Sequence, residues 1–223
     1  MTHMSVEAWG FIHILLFVFW LGADVGVFVS ALFAKNPKYS FETRMTVLQA
    51  GMIVDIFPRI CFALIFPVGL HLTNALQLYP IDTGLFVTGW VIGLAWIVVI
   101  FTIGANQGKP LAEHLSKLQF GFQAVMGLIF TVLGLNSLVA DAPIDQPWFA
   151  TKILLFGLVF WAALAIDLCF RPFLAPFMEI GQHGSTPERE EAVSRAINHT
   201  LVAVSTVYVL IFAIAFIGKV KPF

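Results

Sequence analysis

The chain has 223 residues, 59% of them hydrophobic and 11% charged, with a mean hydropathy of +0.91; an average soluble domain carries about 25% charged residues, so this composition belongs to an integral membrane protein. A net charge of -1 and the lack of any window interleaving Lys/Arg with aromatics exclude nucleic acid as a partner.

In chain order, apolar stretches long enough to cross the hydrocarbon core occur at Val6–Phe33, Leu48–Leu78, Leu85–Gly104, Phe120–Val139, Trp148–Phe170 and Ile197–Ile217. The expected fold is an all-α six-transmembrane helix bundle, a single polytopic membrane domain over residues 1–223. The opening MTHMSVEAWG has no cationic leader, and the run behind it exceeds the h-region of a signal peptide, so the first span should stay in the mature protein. Cys61 and Cys169 lie inside apolar runs, where a thiol packs as a small hydrophobe. Gly22/Gly26 and Gly89/Gly93 form small-xxx-small pairs that suit close helix packing.

The connections are AKNPKYSFETR, LYPIDTG, NQGKPLAEHLSK, DAPIDQP and RPFLAPFMEIGQHGSTPEREEAVSR. The last has room for a short helix of its own. Its STPEREE is a helix start, with Ser185 or Thr186 as cap, Pro187 at the first position and acids in the first turn. Lys35, Lys38, Arg44, Lys109, Lys117, Arg171, Arg189 and Arg195 all fall in the first, third and fifth connections; the second and fourth hold only Asp82, Asp141 and Asp145. The positive-inside rule puts the odd connections in the cytoplasm and both termini outside, as expected of a multi-pass protein of the cell inner membrane.

That topology gives each polar residue within a span a depth. His13 in the first span, His71 in the second and Lys152 near the start of the fifth share an outer layer. Singly, Lys152 could snorkel to the interface and a histidine could join two helices by a hydrogen bond; three at one depth point to a site. Asp24, Asp55, Arg59 and Asp167 form an inner layer. Asp55 and Arg59 are spaced to pair along one helix face, which leaves Asp24 and Asp167 as candidates for carrying protons.

Imidazole is the commonest metal ligand, and two histidines at one depth on different helices suit a b-type haem, whose iron takes axial ligands from the protein. Trp9, Phe11, Phe17, Phe62 and Phe66 are candidates for its walls, and Lys152 suits a propionate. No cysteine cluster, Met-rich run or His-x-x-x-His pair supports copper or zinc.

Four segments resemble the HemJ-type protoporphyrinogen IX oxidases and their CopD-like relatives. They are IHILLFVFWLGA, with His13 and Trp20 followed by Leu-Gly; MIVDIFPRICFALIFPVGLHL; WFATKILLF, with its Trp-x-x-x-Lys; and IAFIGKVKPF. The resemblance implies haem b on His13, an essential Lys152 and a membrane oxidoreductase that passes electrons to an acceptor such as quinone. It covers the first two, fifth and sixth spans, whereas Leu85–Gly104 and Phe120–Val139 stand between the matching parts.

The sequence therefore leads to a haem-binding membrane oxidoreductase or electron-transfer protein with one or two haems, lipid and quinone as partners, and homo-oligomerisation left open. His13 and His71 are the expected metal ligands; Lys152, Arg59 and Trp20 the other cofactor contacts; Lys152, Asp24 and Asp167 the groups acting in the chemistry. The competing readings are a proton- or ion-coupled transporter without haem, and a structural subunit of a membrane complex.

Overall fold

The computed structural model describes residues 5–223. Its elements are α1 (Val6–Ala34), α2 (Phe41–Val54), α3 (Ile56–Ala75), α4 (Thr83–Ala105), α5 (Pro110–Ala140), α6 (Pro147–Phe170), a 3₁₀ turn at Arg171–Phe173, α7 (Leu174–His183) and α8 (Pro187–Val220). No strand occurs among the described residues. Six helical stretches are long and apolar enough to cross a membrane, one for each apolar run of the sequence. Lipid offers no hydrogen bonds, so a spanning segment must satisfy its backbone internally, and helices do so.

The helix limits depart from the hydropathy limits at two places. The second span is not one helix: α2 ends at Val54 and α3 begins at Ile56, with Asp55 between them. Pro58 causes the break, because it lacks the N–H that would reach the Val54 carbonyl and its ring crowds that carbonyl. Twenty residues of α3 rise about 30 Å, enough to cross the hydrocarbon core alone, with Asp55 just before the helix and Arg59 in its first turn. In the fifth connection the short helix is α7, upstream of STPEREE. That motif starts α8 itself: the Thr186 hydroxyl accepts from the Arg189 N–H at 3.4 Å, and no further proline follows Pro187 before Val220.

The chain divides into two compact units. The first holds the described residues up to Val29 and Ala50–Gln119, and the second holds Ser30–Gln49 and Phe120–Phe223.

Within the first unit, α1 runs antiparallel to the second span, with Trp9 on His71, His13 on Gly69, Trp20 on Phe62 and Gly26 on Val54 in one register. α4 packs on α3 through Gly89 and Gly93, both buried. Pro67 deprives the Ala63 carbonyl of its helical donor. The Gly93 Cα lies against that oxygen, and a Cβ there would come within 2.9 Å of it. The Gly22/Gly26 pair behaves differently, since a Cβ on Gly22 would meet nothing within 4 Å.

Within the second unit, α5 and α6 approach at Gly134 and Gly157, where backbone meets backbone, and at Gly127, which faces the Phe160 and Trp161 side chains. The connection Ser30–Gln49 packs on α7 and the start of α8. Arg44 is 2% exposed; its guanidinium donates to both Glu190 oxygens at 2.9 and 3.0 Å, its Nε donates to the Ala34 carbonyl at 2.7 Å, and its plane lies over Phe177. Phe41 packs tilted against the same ring, and Lys35 donates to Asn198 at 2.6 Å.

Candidate functional site

In the first unit the two histidines have different surroundings. His71 is sandwiched, with Trp9 stacked on one face at 4.1 Å between centroids and Phe86 on the other at 4.5 Å. Trp90 Nε1 donates to His71 Nε2 at 2.9 Å. Indole N–H is a donor only, so Nε2 carries the lone pair and the ring is the neutral Nδ1–H tautomer. An iron bond from Nε2 would have to displace Trp90.

His13 stands one turn from Trp9 on the same face of α1 and lies half-buried against Gly69. A Cβ at Gly69 would sit 3.5 Å from His13 Cε1 and 3.8 Å from Nδ1, so the missing side chain makes the bay that receives the imidazole. Two turns further along, Trp20 is buried and stacks on Phe62, whose edge meets Trp96. His13 thus lies between two aromatic groups along the α1–α3 contact. Phe11 is 66% exposed and faces away, so it is not a wall; a single helix face cannot hold both Phe11 and His13.

Asp55 and Arg59 form the ion pair that their spacing implies, at 2.6 Å. Asp24 lies on α1 between the Trp20/Phe62 and Gly26/Val54 contacts, level with the break in the second span.

The second unit holds Lys152 and Asp167. The half-buried Lys152 extends along the last turn of α8, with Nζ 3.0 Å from where a Gly218 Cβ would stand. It does not run out to solvent. Carbonyls at a helix C-terminus carry partial negative charge, which suits an ammonium, and no carboxylate among the described residues pairs with it. One turn earlier, buried Trp148 donates to Gln146 at 2.9 Å and supports the Lys221 ammonium over its ring at 4.8 Å. Asp167 is half-buried in the last turn of α6.

His13, His71, Trp20, Asp24 and Arg59 are therefore brought into one unit, and Lys152 and Asp167 belong to the other. Sequence reasoning missed Trp90, Gly69 and Gly218, each of which matters only through a neighbour on another helix. No group of three or more His, Cys, Asp or Glu side chains that could hold a metal ion occurs among the described residues. A haem asks less of the protein: His13, with its glycine bay and aromatic flanks, is one imidazole it would meet, and His71, whose Nε2 accepts from Trp90, is the other. No protein-family model, curated protein or solved structure matches the chain.

Proposed function

We propose that the chain is a membrane redox protein of the b-haem-binding kind, in which His13 would hold the haem, in a six-span inner-membrane topology with both termini outside. The observation that carries the reading is His13 itself, a half-buried imidazole seated in the Gly69 bay between the Trp9–His71–Phe86 stack and the Trp20–Phe62–Trp96 cluster. Bound haem supplies one-electron chemistry. Gly69 admits the His13 ring close to α3; the aromatic groups exclude water; Trp90 fixes the tautomer of His71, which serves as wall rather than ligand. Lys152 is suited to an anionic group at its end of the second unit, and Asp24 and Asp167 to accepting protons. The charge distribution among the connections supports the topology.

The break in the second span favours a second reading. A helix interrupted at Asp55, with Arg59 beside it and a Val54 carbonyl that Pro58 has no N–H to meet, is the kind of feature that binds coupling ions in transporters, and on that reading no haem is needed.

The absorption spectrum of purified protein separates the two. The redox reading expects a Soret band, lost in His13→Ala and kept in His71→Ala, with the ferrous form high-spin because a single imidazole binds. A protein without a Soret band after haem supplementation, or His13→Ala with full haem occupancy, refutes it.

A further inference from the structure

One end of the second unit carries two cations that no acidic side chain neutralises. Trp148 and Lys152 lie one turn apart on α6, and Gly218 and Lys221 lie close together at the end of α8. The helices meet there in matched rungs, with the Lys152 ammonium against Gly218 and the Lys221 ammonium 4.8 Å from the Trp148 ring centre. Helical rise between Trp148 and Lys152 sets the two ammoniums about 6 Å apart along the axis of α6. The turn that ends α8 fixes the second of them, since Lys221 takes φ +49° and its N–H donates back to the Ile217 carbonyl at 2.9 Å.

A lysine inside a span ordinarily extends its ammonium to the interface. Lys152 keeps its own against Gly218, where the missing side chain leaves room for it. Among the described residues neither ammonium has a carboxylate partner or a hydrogen bond. Asp141 and Asp145, which precede α6, are exposed and pair with neither lysine. The Trp148 N–H is given to Gln146, so its ring is a platform for Lys221 and not a donor to an anion.

A charged group within a span calls for a counter-charge, and the membrane itself offers one. A free anion would have to shed its water to reach this depth, whereas a phospholipid carries its phosphate at the edge of the apolar layer. A zwitterionic head brings a cation beside that phosphate, which two lysines repel. A phosphatidylglycerol head brings only hydroxyls. We propose that Lys152 and Lys221 bind the phosphodiester of an anionic phospholipid, one unesterified oxygen to each ammonium. The site lies wholly within the second unit; it rests on the assignment of Lys152 to an anionic group and not on haem.

The test uses the full chain in detergent, stripped of lipid, and native mass spectrometry with phosphatidylglycerol and phosphatidylcholine of the same acyl chains. Phosphatidylglycerol is expected to bind about tenfold more tightly. Lys152→Met should weaken it about tenfold and Lys221→Gln about threefold, since Lys221 is exposed and its charge is screened. Gly218→Leu keeps every charge but takes the space of the Lys152 ammonium, so it should lose binding as Lys152→Met does. Lys219→Gln removes a charge from the same turn outside the rungs and should bind as the parent does. An equal loss in Lys219→Gln and Lys221→Gln would reduce the effect to net charge and overturn the site; so would equal binding of the two lipids. A large excess of inorganic phosphate should leave the lipid bound, and displacement would make the site one for a free anion instead. A Lys152→Met variant that loses haem but keeps phosphatidylglycerol gives the lysine to a haem propionate and sinks the proposal. Lipid binding that survives in His13→Ala without haem, and still needs Lys152, keeps this site whatever becomes of the haem assignment.

Discussion

The Gly69–His13 contact can be tested by size. A methyl at Gly69 would stand 3.5 Å from the ring, ordinary van der Waals contact, and so should be accepted. A Leu side chain would fill the bay and push the imidazole off α3. Gly69→Ala is therefore expected to keep its Soret intensity and Gly69→Leu to lose most of it while still inserting, as read by haem content per protein. Equal haem in both variants would mean that the bay does not hold the ring. His71 shows why a residue's role cannot be read from its type. The histidine is plain in the sequence, but Trp90, nineteen residues away, decides which nitrogen has a lone pair to give, and nothing in the spacing announces that.

At the level of helices, glycines that look alike in sequence divide by what faces them. Gly93 abuts the backbone oxygen of Ala63 at 2.9 Å and Pro67 Cγ at 3.3 Å from its would-be Cβ, and neither atom can move without bending α3. Gly93→Ala should cost about 1–3 kcal/mol, the range for overpacking a tight contact. Gly22 faces open space, so Gly22→Ala should stabilise α1 by about 0.5–1 kcal/mol through the lower entropy of its unfolded chain. Reversible unfolding in mixed detergent micelles measures both; a Gly93→Ala variant as stable as the parent would contradict the close α3–α4 approach. The six spans were legible because about 20 apolar residues leave few alternatives. The kink at Asp55 was legible in principle from Pro58, but a hydropathy window averages across a proline and does not see the lost N–H.

At the scale of the whole molecule, the second unit is assembled from two stretches of chain, and Arg44 joins them. Removing one partner of a buried, hydrogen-bonded ion pair leaves a stranded charge, so Arg44→Ala should cost about 3–5 kcal/mol. Arg44→Lys keeps the charge but not the two-pronged geometry and should recover only part of that. The paired change Arg44→Met with Glu190→Leu should be far milder than either loss alone. Denaturation midpoints in detergent measure all three, and a mild Arg44→Ala would mean that the pair is no clamp. The same pair has a meaning in time. Arg44 and Glu190 are 146 residues apart, and at about 5–20 residues per second the ribosome takes about 7–30 s to make the acid after the arginine. Throughout that interval the first connection carries a cation without its counter-ion. A chain halted before the last span keeps that cation uncovered, so closure of this one contact marks synthesis as having passed the start of α8.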